Sequence, residues 1–434
     1  MAGVAQTALR DIAGGRLSKL PVAVRFWDGS RLPGRFSQAP VVTAKRPRAI
    51  AHLLHRPDQV GLARAWVDGS LGVDAALEDV LRTRGEMESL HLSLQDRARL
   101  AAAAARAAGP GVLLPPPVPQ VEAAVGRRGR FIARDRAGGR RHSLSRDRAA
   151  VRHHYDISND FYRLILGPTL VYSCAYFASP EQSLEQAQEQ KLDLICRKLR
   201  LAHGERLLDV GCGWGSLVLH AAANYGVRAV GVTLSAPQAE LARERVREWG
   251  LQDRVEIRVA DYREVRDGPF DKIASVGMYE HVGRAELTHY VTRVAGLLAP
   301  GGLFLNHGIA RLHSEPPSSD TFISRYVFPD GELHPVTDLI AAMARAGLEV
   351  RDVESLREHY PLTLRHWVDN LREHRAAAVR LAGEQRARAW ELYMVACELA
   401  FESGEITIYH VLVTRGGRRH QLPLDRSQLL FASH

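Results

Sequence analysis

Residues 207–215 read LLDVGCGWG, and their types and spacing suit a nucleotide-like ligand. Leu207, Leu208 and Val210 make an apolar strand. Gly211, Gly213 and Gly215 follow at alternate positions, and glycine lets a backbone approach a ligand closely. A helix follows over 216–223. Strand, glycine turn and helix in this order build ligand sites on open α/β sheets. The spacing is neither G-x-G-x-x-G nor a P-loop, and no Lys follows to meet a phosphate. Asp209, at the strand end, is expected to hold the N–H groups of the loop. A tight turn without a ligand would also carry such glycines.

The elements around this turn repeat its logic. A strand over 227–232 ends at Thr233-Leu234-Ser235, before a helix with Pro237 in its first turn and Gln238 beside it. A strand over 255–260 ends at Asp261-Tyr262, and one over 272–276 ends at Gly277-Met278-Tyr279-Glu280-His281. Strands alternating with helices predict an α/β fold with a doubly wound parallel sheet. Ligands lie at the carboxyl ends of such strands. An amphipathic helix over 183–199 turns Leu184, Ala187, Leu192, Ile195 and Leu199 inward. Further on come a helix over 285–298, a turn at Ala299-Pro300-Gly301-Gly302 and a strand over 303–305. A Pro- and Ser-rich segment over 310–336 is expected to fold over the site. A helix over 336–347, a strand, a long helical stretch over 362–401 and a closing strand over 407–413 follow.

The chain up to residue 110 reads as a smaller α/β domain. It has a strand over 22–27, a helix over 61–66 and an Ala-rich helix stopped by Gly109-Pro110-Gly111. Residues 111–150 read as a stiff Pro-rich connector and a basic linker, and 151–434 as the catalytic domain. Arg127, Arg128, Arg130, Arg134, Arg136, Arg140, Arg141, Arg146, Arg148 and Arg152 cluster there, relieved only by Asp135 and Asp147. Net charge is +9, so an anionic partner is expected, either nucleic acid or an anionic membrane. An Arg-rich composition from a GC-rich genome would give the same excess. No apolar run is long enough for a transmembrane helix, and the N-terminus lacks a signal-peptide core. Cys174, Cys196, Cys212 and Cys397 form neither a disulfide framework nor a C-x-x-C zinc pattern. His153 and His154 have no third metal ligand at suitable spacing. A reduced, cytoplasmic protein is expected.

The glycine loop is similar to the S-adenosylmethionine (SAM) loop of class I methyltransferases, as is the Pro-Gly-Gly hinge. That class usually has an acidic residue where this chain has Thr233. Within the class, the residues resemble one family. His154-Tyr155-Asp156-Ile157-Ser158-Asn159-Asp160-Phe161-Tyr162 and Val171-Tyr172-Ser173-Cys174-Ala175 are similar to the opening of the cyclopropane fatty acid synthases. Residues 275–283, SVGMYEHVG, match their central motif. Leu305-Asn306-His307-Gly308-Ile309, His359-Tyr360 and the stretch around Cys397 align in the same order. The resemblance covers about residues 151–420. The N-terminal part resembles, more weakly, the accessory domain of phospholipid-acting members.

The resemblance implies that a cis double bond in a lipid chain attacks the methyl of SAM. The resulting carbocation needs an apolar pocket with aromatic faces, for which Tyr360, Tyr279, Phe304 and Tyr176 are candidates. A bound bicarbonate then removes a proton. Its implied cage is Cys174, Glu280, His307, the backbone at Ile309, and Tyr360. Such an ion accepts from N–H groups and donates its own hydrogen to a carboxylate. Implied SAM residues are Tyr172, Ser173, Asp209, Gly211, Gly213, Thr233, Leu234, Gln238, Asp261 and Tyr262. Each has a plainer reading: Cys174 as a buried thiol, His307 as a strand-end polar group, Glu280 as part of a helix start, Tyr360 as packing. Expected partners are an unsaturated phospholipid and the inner, anionic face of the cell membrane. A homodimer is compatible with the resemblance.

Two products share this chemistry: a cyclopropane ring, or a methylene branch if the proton leaves a neighbouring chain carbon. A nucleic-acid-binding protein using the Arg cluster is a competing reading. It is disfavoured because no RNA-binding aromatic motif accompanies the arginines. A small-molecule or protein methyltransferase leaves the Tyr-Ser-Cys-Ala and Glu-His-Val-Gly motifs unexplained.

Overall fold

A computed structural model describes residues 20–88, 94–122, 157–313, 320–329, 331–416 and 422–430. The Arg cluster, His153 and the His154-Tyr155-Asp156 start of the opening motif lie outside the described residues. The chain forms two compact units. Among the described residues, the first combines the chain up to residue 122 with residues 320–327 and Arg375–Leu399. This division differs from the expected boundaries at 110 and 150. Two segments placed by sequence in the catalytic domain group with the N-terminal unit instead.

The first unit holds four short strands: β1 (Ala23–Phe26), β2 (Arg31–Leu32), β3 (Val41–Ala44) and β4 (Leu71–Val73), in the order β2-β1-β3-β4. Phe26, Leu32, Ala44, Ile50, Ala65 and Val112 share its core. Asp58 caps the helix Gln59–Val67 by accepting from the N–H groups of Val60 and Gly61. Glu122 is buried here on charged partners: Arg64 donates to both its oxygens, at 2.6 and 2.7 Å, and Arg325 and the Tyr326 hydroxyl also donate to it.

The second unit holds a seven-stranded sheet. Its strands are β5 (Arg206–Val210), β6 (Arg228–Thr233), β7 (Val255–Val259), β8 (Phe270–Val276), β9 (Leu298–Arg311), β10 (Leu348–Ser355) and β11 (Ile406–Arg415). The order is β10-β11-β9-β8-β5-β6-β7, and β11 is antiparallel to both neighbours. Helices cover both faces, because strands buried on two sides are apolar on both. Leu207, Ala229, Ala274, Leu303, Leu305 and Leu412 point to one core. Leu208, Val210, Ile273, Phe304, Val411 and Val413 point to the other. This alternation overturns the candidacy of Phe304 as a site aromatic: it lies on the opposite face from His307, whose parity matches Leu303 and Leu305.

Two other elements differ from expectation. Residues 299–302 do not end before β9 but lie inside it, as an irregularity that shifts the β8–β9 register between Phe270 and Lys272. Gly301 takes φ +77° there. The expected single helical stretch over 362–401 is three helices, His359–Glu373, Arg375–Ala382 and Glu384–Ser403, interrupted at His374 and Gly383. Among the described residues, no helix is long and apolar enough to cross a membrane.

Candidate active site

The carboxyl ends of β5, β6, β7 and β8 surround one cleft. Tyr172, Ser173, Asp209, Gly211, Gly213, Thr233, Leu234, Gln238, Asp261 and Tyr262 all line it. Gly211, Gly213 and Gly215 take φ of +84°, +55° and +80°, values that disfavour any side chain. The loop's N–H groups at Gly211 and Cys212 donate to the Val232 carbonyl, both at 3.0 Å. Asp209 therefore does not hold them, contrary to expectation. The adjacent strand reaches those donors first, and one Asp209 oxygen stays buried without a hydrogen-bond partner. Burial pushes the Asp209 carboxyl up to about 7.

The β6 end is built as a neutral hydrogen-bonding corner. Thr233 Oγ1 lies 2.9 Å from Gln238 Oε1 and accepts from the Ser235 N–H at 3.2 Å. Both side chains are buried. At the β7 end, Asp261 accepts from the Arg263 backbone and from two of its guanidinium nitrogens, at 2.7–2.9 Å. Tyr262 packs edge-on against Tyr290 at 5.3 Å.

Residues not foreseen complete the wall: Lys191, Trp214, Arg263, Met278 and His281. Trp214 is pinned by Asn159, which accepts from its indole N–H at 2.8 Å, and by the Tyr162 ring at 4.8 Å. This explains the Asn and Tyr of the opening motif. Tyr172 packs between Tyr162 and Trp367.

The turn after β8 has two sides. Met278 and His281 face the cleft, whereas Tyr279 and Glu280 meet β9. The Ile309 N–H donates to Glu280 Oε1 at 2.7 Å, and the Tyr279 hydroxyl donates to the Ile309 carbonyl at 2.7 Å. This corrects the expected role of Ile309. Its N–H is already committed to Glu280, so Ile309 fixes the carboxylate rather than offering a free donor. A Cβ at Gly308 would stand 2.1 Å from the Tyr279 ring, so only glycine admits this packing.

Glu280 Oε2 and both ring nitrogens of His307 are buried with no hydrogen-bond partner. Burial pushes the Glu280 carboxyl up to about 7, and holds His307 neutral by lowering its pKa well below the usual histidine value. His410, unforeseen, pairs with His307 across β9 and β11, with ring centroids 4.8 Å apart. It too is fully buried, with both nitrogens unpartnered.

Cys174 reaches the same region through backbone contacts. Its thiol donates to the Ala175 carbonyl at 3.2 Å and lies 3.9 Å from the Leu356 carbonyl. The Leu356 N–H donates to Ile408, which faces Ile309 in register. Burial pushes the thiol pKa up, so Cys174 is a protonated, weak donor and not a thiolate. Tyr360 is buried, its ring 4.5 Å from Phe401 and edge-on to Trp367 at 6.1 Å. The Trp367 indole N–H is also buried and unpartnered. Tyr176 stacks on His359 at 4.5 Å. Cys397 falls in the segment grouped with the first unit and does not line the cleft.

A glycine-cornered cleft on this strand order is the cofactor site of a class I methyltransferase, and residues 142–411 match the family model for mycolic acid cyclopropane synthetase. The chain belongs to that family. A Pseudomonas putida protein named as a probable fatty acid methyltransferase is 38% identical, over 94% of this chain and 96% of its own. The cyclopropane-fatty-acyl-phospholipid synthase of Escherichia coli is 38% identical over 64% of this chain and 72% of its own. The solved structure of a mycolic acid cyclopropane synthase complexed with SAH and CTAB is 34% identical. It covers 62% of this chain and 98% of its own, with a TM-score of 0.59. The chain is a SAM-dependent methyltransferase of the cyclopropane-fatty-acyl-phospholipid synthase family. Its activity is SAM-dependent methylation or cyclopropanation of lipid alkenes.

Proposed function

We propose that the protein transfers a one-carbon unit from SAM to the cis double bond of an unsaturated acyl chain in a phospholipid, giving a cyclopropane ring. The observation carrying this reading is the set of unpartnered polar atoms on Glu280 and His307, one turn away from the cofactor cleft. Buried polar groups ordinarily find partners, so this set calls for a small polar guest. Bicarbonate fits the donor set. Neutral His307 offers one N–H donor, and ionised Glu280 Oε2 accepts an O–H. Bicarbonate, when bound, supplies a base for the proton that leaves the methylated chain. Glu280 orients it, with its own position fixed by Ile309, and His307 donates to it. Tyr360, Phe401 and Trp367 add aromatic faces that favour a nearby cation. Cys174 contributes packing and a weak S–H donor.

A second reading keeps the same residues but yields a methylene-branched chain. It is favoured by the relative matching along nearly the whole chain, which is named for fatty acid methylation. We further propose peripheral attachment to an anionic inner membrane face rather than to nucleic acid. The net charge of +9 and the Arg-rich stretch support this. The protein as a homodimer would be compatible with this attachment.

Purified protein is incubated with SAM and liposomes of unsaturated anionic phospholipid, and released fatty acids are analysed by mass and proton spectra. A gain of one CH2 unit with ring protons supports the first reading, and vinylidene protons support the second. An unchanged acyl chain with SAM bound rejects both.

A further inference from the structure

One apolar stretch of the first unit is exposed to solvent as a run. Residues 107–121 contain no charged side chain. Within them Leu113 is 45% exposed, Leu114 68% and Val118 50%, and Pro115 and Pro117 between them are exposed too. Among the described residues, the other exposed large apolar side chains stand singly in the sequence. Single exposures of that kind are ordinary, whereas a run of them marks a contact surface.

Both ends of this loop are fixed in the protein. Val112 is buried in the core of the first unit with Ile50 and Ala104. Pro119 is buried, the Gln120 N–H donates to Gln385 Oε1 at 3.0 Å, and the Glu122 carboxylate accepts from Arg64. A loop with an ordered base loses little conformational freedom when its apolar side chains are buried by a partner. Its backbone also suits a medium without water. Pro115, Pro116 and Pro117 carry no N–H, and the Leu114 N–H already donates to the Gly111 carbonyl at 3.2 Å. Few donors would be stranded among acyl chains, where an unsatisfied one is costly. A protein groove that reads prolines fits less well. Such grooves take two prolines three residues apart, and Pro116 and Pro119 have that spacing, but Pro119 is buried.

Charge points the same way. Soon after the loop, the sequence between residues 127 and 152 carries ten arginines against Asp135 and Asp147, a balance that an anionic surface complements. We propose that loop 113–118 inserts Leu113, Leu114 and Val118 among the acyl chains of an anionic phospholipid surface. This inference rests on the membrane attachment proposed above, and it names the residues that enter the bilayer. The two contributions differ in kind. Attraction between arginines and headgroups is screened by salt, whereas burial of the apolar side chains is not.

The test is cosedimentation of the full chain with vesicles of unsaturated phosphatidylglycerol, at low and at high salt. The double variant Leu113→Ser/Leu114→Ser should bind the vesicles about tenfold or more weakly than the wild type at both salt levels, with thermal unfolding unchanged. Equal affinity of variant and wild type would overturn the proposal. Leu114→Trp gives a second reading on vesicles with brominated acyl chains. The fluorescence it adds to that of the native tryptophans should be quenched, and an added signal indifferent to bromine would disprove insertion. If the serine variant loses self-association in ultracentrifugation but keeps its vesicle affinity, the loop is covered by a second copy of this chain, which also overturns the proposal. Failure of the wild type to bind the vesicles at either salt level would instead overturn the membrane reading, and the role of the loop with it.

Discussion

The two sides of the turn after β8 are built on opposite principles. On the cleft side, polar side chains mostly have protein partners: Thr233 with Gln238, Asp261 with Arg263, Trp214 with Asn159. Contacts within the protein fix the shape, and glycines leave room for the ligand. On the β9 side, Glu280, His307 and His410 are sealed from solvent with five polar atoms unpartnered, counted as Glu280 Oε2 and the two ring nitrogens of each histidine. Under the proposed function, a bound bicarbonate would complete that side. A preformed cleft suits a cofactor that enters and leaves each turnover, whereas buried polar atoms without partners suit, under the proposed function, a small ion whose basicity must be controlled.

The comparison is broken most sharply at Glu280. Glu280→Gln should lower turnover by about 10²–10⁴-fold, the span of a positioned acid–base group, while SAM affinity holds. Steady-state kinetics beside calorimetry separate the two; a matching loss of SAM binding would mean that the sides are one site. The same residue predicts the pH profile. The ionised carboxylate accepts from the guest, and burial places its pKa at about 7. At fixed bicarbonate concentration, turnover should therefore rise as pH climbs through about 7 and fall below it. The residual activity of Glu280→Gln should lose that limb.

Gly308→Ala should destabilise the fold by about 1–3 kcal/mol through overpacking against Tyr279, and should disturb Glu280 through Ile309. Thermal unfolding and turnover would fall together. His410 gives a finer test. His410→Gln keeps a donor and an acceptor and should retain most activity, whereas His410→Phe should lower turnover by about tenfold or more by replacing the polar ring packed on His307 with an apolar one. Equal effects would reduce His410 to packing. Smallest is Thr233→Val, which removes the two neutral hydrogen bonds of that hydroxyl, one to Gln238 and one from the Ser235 N–H. It should weaken SAM by about fivefold, near 1 kcal/mol, with no change in the pH limb.

Much of the cleft was legible because its residues follow strand ends in the linear sequence. Leu207, Leu208 and Val210 announce the strand, and the positive-φ glycines announce the turn. Thr233 and Asp261 sit at matching points of the next strands. Roles were less legible than positions. Asp209 stands where expected but does not hold the loop, because a hydrogen-bond donor goes to whichever acceptor the tertiary structure brings nearest. Ile309 donates to Glu280 for the same reason. Lys191 was hidden because its helix reads as amphipathic, and a lysine between apolar positions looks solvent-facing. His410 was hidden in a strand whose partner and register no local pattern states.

Local order was therefore determined by the sequence alone: the alternation of strands and helices, the glycine corner, and the motif residues that place the chain in its family. These depend on side-chain periodicity and backbone freedom, which act over a few residues. Only the tertiary structure decided which polar groups are buried without a partner. The antiparallel register of β11 on β9 sets His410 beside His307, and packing of the helix Leu184–Lys198 on the sheet carries Lys191 to Ser173. Such contacts join residues far apart in the chain, and their energetics depend on burial, which exists only once the sheet and helices have packed.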